Sequence, residues 1–158
     1  MKFDNELTTK LLTCEKTIIQ PPGKPKLERG HYRMEFQLQS IDEEFYFNAF
    51  GRYNAMFPEN FSIGLVYDPK HEKGSYEIVR CNGPHGEHAM FPHHIHFHIH
   101  KITVDAIQHG LKEDSYIEIT DKYAQYEDAL RFFVTYINLK IEDIERFFPG
   151  RDLQMQIF

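Results

Sequence analysis

Tyr32-Arg33-Met34-Glu35-Phe36-Gln37-Leu38-Gln39 alternates apolar and polar side chains without a break. A period of two marks a strand with one buried face and one wet face. The same pattern recurs downstream. In residues 45–53, Phe45, Phe47 and Ala49 fall on one side, and Tyr46, Asn48, Phe50 and Arg52 on the other. In residues 61–67, Phe61, Ile63 and Leu65 oppose Ser62 and Gly64. Residues 76–81 and 93–102 read as a fourth and a fifth strand, separated by a Gly- and Pro-containing loop over 82–92.

Helical spacing brackets this block. Leu7, Leu11, Cys14 and Ile18 recur at i, i+4, i+7 and i+11, which predicts a helix over 4–19 with Asp4 as N-cap. Pro21-Pro22-Gly23-Lys24-Pro25 ends it and forms a stiff connector. Thr103 caps a predicted short helix that stops at Gly110. Tyr126, Leu130, Phe133 and Ile137 mark a stronger helix, and 141–148 a last helical piece before Pro149-Gly150. The expected fold is a single two-layer α+β domain over residues 1–158. It comprises an N-terminal helix over 4–19, a five-stranded, mostly antiparallel sheet over 31–102, and C-terminal helices over 103–148. The helices cover one sheet face. The other face then carries Arg33, Tyr46, Asn48, Arg52 and histidines.

With 158 residues, 41% hydrophobic and 27% charged, the chain has the balance of one soluble globular domain. No apolar run is long enough to span a membrane, and the start lacks a signal-peptide core. Two cysteines, Cys14 and Cys81, do not make a disulfide framework, and a cytoplasmic protein is expected. Both read as core thiols. The net charge of −6 argues against a protein that coats DNA nonspecifically.

Ten histidines are present, and five of them lie between His93 and His100. His94, His96, His98 and His100 alternate with Ile95, Phe97 and Ile99, so one strand face would carry all four imidazoles. Side chains two residues apart on a strand stand about 7 Å apart. Three chemistries fit such a row. A divalent transition metal (zinc, nickel or iron) would take His94, His96 and His85 as ligands, or His88 in place of His85. Metal-free phosphodiester hydrolysis would use the histidines as acid and base, with Arg80 or Arg52 on the phosphoryl group and exposed aromatic rings stacking a base. The row also looks like the strand of the histidine-triad nucleotidyl enzymes, in which His96 would be the nucleophile. In that family the strand lies near the chain end, whereas here about sixty residues follow it.

Arg80-Cys81-Asn82-Gly83-Pro84-His85, followed by Phe91-Pro92-His93-His94-Ile95-His96, resembles the core signature of the TumE-like bacterial toxins. The similarity covers residues 76–102. It implies an RNA-directed hydrolase or toxin-type enzyme held by an antitoxin protein. His94 and His96 would supply acid–base chemistry, Arg80 would hold phosphate, and Asn82 and His85 would orient the substrate. His88, His98 and Arg52 complete the expected substrate contacts. These toxins are shorter than this chain and lack its long N-terminal segment. Two other readings stand beside this one: a metal-binding protein, or metal-dependent hydrolase, built on the same histidines, and a non-enzymatic inhibitor module whose sheet face binds a partner. A homodimer is compatible with each.

Overall fold

The computed structural model describes residues 4–84, 96–104 and 116–150. Helix α1 (Asn5–Thr13) is followed by strands β1 (Lys16–Gln20), β2 (Lys26–Glu28), β3 (His31–Ser40) and β4 (Tyr46–Asn54). Then come β5 (Phe61–Tyr67), β6 (Tyr76–Asn82), β7 (His98–Lys101) and β8 (Tyr116–Ile119), and helices α2 (Tyr126–Tyr136) and α3 (Ile141–Phe147). All eight strands belong to one antiparallel sheet in the order β1-β3-β4-β5-β6-β7-β8, with β2 also paired to β3.

The alternation that opens the sequence decides which face is buried. Met34, Phe36 and Leu38 of β3 point into the core with Phe47 and Ala49 of β4 and Phe61, Ile63 and Leu65 of β5. Leu11 of α1, Ala129, Phe133 and Val134 of α2, and Ile144 of α3 close the same core from the helical side. Each fully buried Leu or Phe stabilises this layer by about 1.5–3 kcal/mol. Asp4 caps α1 as expected, its carboxylate accepting from the Leu7 N–H at 2.8 Å. The opposite face keeps the polar residues of β3 to β7.

The sheet is larger than the five strands expected, and the added strands have physical causes. The predicted helix over 4–19 ends at Thr13, where Cys14 turns extended. The β-branched run Thr17-Ile18-Ile19 prefers a pleated surface, and β1 pairs with Gln37–Ser40 of β3. Lys16 secures the break. It is fully buried, and its ammonium donates to the carbonyls of Leu12 (3.0 Å), Cys14 (2.9 Å) and Ile137 (2.7 Å). One cation thus closes the C-terminal ends of α1 and α2 against the edge strand, where helix dipoles favour positive charge. Strand β2 exists because Arg29 (φ 50°) and Gly30 (φ 82°) form a two-residue turn with both φ positive, the geometry that matches hairpin twist. Strand β8 lies inside the region expected to be helical. Tyr116-Ile117-Glu118-Ile119 has its own period of two and pairs with His98–Lys101. The predicted helix over 103–110 falls mostly outside the described residues. Among the described residues, no helix is long and apolar enough to cross a membrane.

Candidate functional site: a cationic cleft on the open sheet face

Strand register brings the polar residues into two rows. Arg33 pairs with Arg52, Arg52 with Ser62, Ser62 with Asn82, and Asn82 with His98. The neighbouring row runs Glu35, Phe50, Gly64, Arg80, His100. In both rows the central strand contributes the smallest side chain, Ser62 or Gly64. The two strands beside it contribute large ones. A cleft follows, with β5 as floor and β4 and β6 as walls. Its volume is about 300 Å³, and it is lined by His31, Arg52, Asn60, Phe61, Ser62, Arg80 and Asn82. A second depression of about 550 Å³ continues from it past His31 and Arg52 to Glu28, Arg29 and Arg33. Phe50 lies across Gly64, where a methyl group would stand only 2.5 Å from the ring. The Arg33 guanidinium sits 5.0 Å from the centroid of that ring.

Arginines gather on this face of a protein that is negative overall. Arg33 is neutralised by Glu35 at 2.9 Å and Arg80 by Glu77 at 3.5 Å. Arg52 has no ion pair among the described residues. Its partial burial lowers its pKa from the usual arginine value, and the like charges of Arg33 and Arg80 lower it further, against the pull of Glu77. An arginine stays charged regardless. The strained arrangement would be relieved by an anion in the cleft.

Four buried polar atoms of the cleft lining have no hydrogen-bond partner among the described residues: His31 Nδ1, Ser62 Oγ, Arg80 Nε and Asn82 Oδ1. Buried polar atoms are nearly always satisfied, and leaving one unpaired costs about 1–3 kcal/mol. Four on one cleft point to a polar ligand.

The residues expected from sequence fall into three groups. Arg80, Asn82 and Arg52 meet in the cleft. His98 is placed behind it, fully buried, with Asn82 Nδ2 3.3 Å from its Nε2 and the His96 carbonyl oxygen 2.7 Å from its Nδ1. It reaches the cleft through Asn82. His98 and His100 do share a face, their rings 4.9 Å apart, while Ile99 is buried in the core. His96 is exposed in a bend before β7 rather than in a paired strand position. His94, His85 and His88 lie outside the described residues, so the expected acid–base pair and the expected metal set of His94, His96 and His85 fall largely beyond them. Among the described residues no group of three or more His, Cys, Asp or Glu side chains is arranged to hold a metal ion.

Sequence reasoning missed His31, Ser62 and Asn60. His31 shares the parity of Arg33, and Ser62 was already legible on the side opposite Phe61, so parity was the available signal. Asn60 precedes β5, where parity gives no guidance. Cys81 is buried in the core as expected. Burial pushes its thiol up to about 12, and the Tyr123 hydroxyl and Lys101 counter this only in part.

The chain matches no protein-family model, no curated protein and no solved structure. The similarity to the TumE-like toxins therefore rests on the residues quoted for it.

Proposed function

We propose that the protein is an RNA-directed phosphodiester hydrolase of the TumE-like toxin type, with the open sheet face as its substrate platform. The supporting observation is the cleft itself, where unpartnered buried polar atoms and an unneutralised guanidinium gather on one face of an otherwise acidic protein. A phosphodiester supplies acceptor oxygens for the donors among them, Arg80 Nε and the Ser62 hydroxyl, while Asn82 Oδ1 needs a donor instead. Arg52 and Arg80 would hold the phosphate as guanidinium groups hold anions, through several N–H donors at once. His96, with His94 and His85, would supply the proton transfers that cleavage through a neighbouring 2′-hydroxyl requires. Steering by the local patch has to overcome the repulsion of the net charge of −6.

The test is turnover. Purified chain is incubated with labelled single-stranded RNA, and products are resolved on a gel. Cleavage by the wild type that is lost in His96→Ala and reduced at least 100-fold in Arg80→Ala, a scale expected for loss of a transition-state charge contact, is the predicted result. Cleavage that survives both substitutions, or no cleavage by any form, would overturn the hydrolase reading.

A further inference from the structure

The side-chain amide of Asn82 is set by its contact with His98. His98 Nδ1 lies 2.7 Å from the His96 carbonyl oxygen. A carbonyl oxygen only accepts, so Nδ1 carries the hydrogen and donates it. In the neutral ring Nε2 is then an acceptor, and the Asn82 Nδ2 group, 3.3 Å away, donates to it. The amide is thereby oriented. Its nitrogen turns toward His98, and its oxygen is left without a partner in a residue that lines the cleft. Asn82 is only 2% exposed, and Oδ1 has no partner among the described residues.

The backbone holds this arrangement from below. The Tyr123 hydroxyl lies 3.0 Å from the Asn82 carbonyl and 2.9 Å from the His98 carbonyl, and shares its proton between them. Around Asn82, Arg52 and Arg80 can only donate. Ser62, 7% exposed, and His31 can act either way. Asn82 Oδ1 is an acceptor fixed in place beside donors suited to a phosphate. A ligand that satisfies the cleft brings an anion and, a short distance from it, a hydrogen-bond donor such as a hydroxyl.

We propose that Asn82 Oδ1 accepts the 2′-hydroxyl of a ribonucleotide whose phosphate lies on Arg52 and Arg80, so that the cleft selects RNA over DNA. This rests on the RNA reading above and adds the basis of sugar recognition. The 2′-hydroxyl is the group by which a protein tells the two polymers apart. A deoxyribose would leave Oδ1 buried and unpaired, and sites built around a hydrogen bond discriminate most strongly against analogues lacking it.

The experiment compares three sugars in one sequence: single-stranded RNA, 2′-O-methyl RNA and DNA, each fluorescently labelled. Binding to the full chain is read by anisotropy at a single salt concentration, in a His96→Ala background throughout so that bound RNA is not cleaved, with a gel confirming that the probes stay intact. The wild type should bind RNA roughly tenfold more tightly than either of the others, the scale of one hydrogen bond to a buried group. Asn82→Ala should lower RNA binding to the DNA level and leave DNA binding where it was. If Asn82→Ala does not fold, the wild-type comparison decides alone. Equal binding of RNA and DNA, with both weakened by Arg52→Ala, would overturn the sugar assignment while leaving a nucleic-acid face intact. So would 2′-O-methyl RNA binding as tightly as RNA, or a folded Asn82→Ala chain that keeps the preference. Binding of none of the three would remove the RNA reading itself.

Discussion

Replacing Lys16 with methionine sets two large terms against each other. Methionine nearly preserves the volume but removes the ammonium, which donates to the carbonyls of Leu12, Cys14 and Ile137. Hydrogen bonds to a charged group contribute about 1.5–3 kcal/mol each, so the gross loss is roughly 4–9 kcal/mol. Against this stands the cost of burying the charge. Burial lowers the Lys16 pKa from 10.5 to about 8, and a drop of that size corresponds to about 3 kcal/mol. The Leu12 and Cys14 carbonyls are only partly buried, so water replaces some of what they lose. The hydrogen bonds win by a moderate margin. Lys16→Met should lower stability by about 2–3 kcal/mol at pH 7, or roughly 6–8 °C in melting temperature for a domain of this size. The pH dependence has a definite sign. The folded pKa lies below the unfolded one. Between pH 8 and 10.5 the unfolded chain keeps a proton that the folded chain has released. The contribution of Lys16 to stability therefore rises with pH in that window. Urea denaturation of both forms from pH 7 to 10.5 reads the difference directly. The gap between wild type and variant should widen by about 3 kcal/mol across the window. A variant as stable as the wild type at pH 7, or a gap that narrows with pH, would refute this account of Lys16.

Two further outcomes follow from close packing and from the buried thiol. A methyl group at Gly83 would overlap the Glu59 carbonyl oxygen and crowd the Phe61 ring, and Gly83 N–H also donates to Phe61 O at 3.0 Å. Gly83→Ala should cost about 2–4 kcal/mol by urea denaturation, whereas Gly23→Ala, with open space around it, should change stability by less than about 1 kcal/mol. Cys81 is held protonated to about pH 12 in the fold, from an ordinary value of 9.0. The unfolded chain loses this proton first, so the thiol's contribution to stability falls as pH rises above 9, by up to about 1.4 kcal/mol per pH unit. Cys81→Ala should flatten that decline in denaturation curves between pH 9 and 10.5. An unchanged slope would show that the thiol does not contribute.

Parity carried most of what the sequence revealed. Residues 32–39, 45–53 and 61–67 alternate cleanly because one face meets helices and the other meets solvent, and that asymmetry is written in every second residue. It placed Arg33, Tyr46, Asn48 and Arg52 on the open face before any register was known. The errors arose where period gave competing signals. Leu7, Leu11, Cys14 and Ile18 fit a helix, yet the β-branched Thr17-Ile18-Ile19 and a buried Lys16 end it at Thr13. Strands β2 and β8 were missed because three or four residues are too few for a period to stand out from a helical or loop pattern. Their cause is long-range pairing, with β3 and with β7. The cleft was only half legible. Arg80, Asn82 and Arg52 are far apart in sequence and meet through register alone. Asn82 lies two strands from Arg52, across the small floor residue Ser62. The bulge between Leu65 and Val66 also keeps Glu77 opposite Val66, so Glu77 and Arg80 pair across an odd spacing that strict alternation forbids.

On the proposed function, the open face holds the backbone of single-stranded RNA. The direct measurement is a salt titration of binding, from 50 to 200 mM, for the wild type and for an Arg52→Ala/Arg80→Ala chain, both in a His96→Ala background so that the RNA stays intact. With the two cleft arginines neutralising about two phosphates, wild-type affinity should fall roughly 7-fold over that range, and the double variant should bind more weakly with a visibly shallower slope. Equal affinity and equal salt dependence in the two forms would contradict the claim, because the cleft arginines would then take no part in holding the strand.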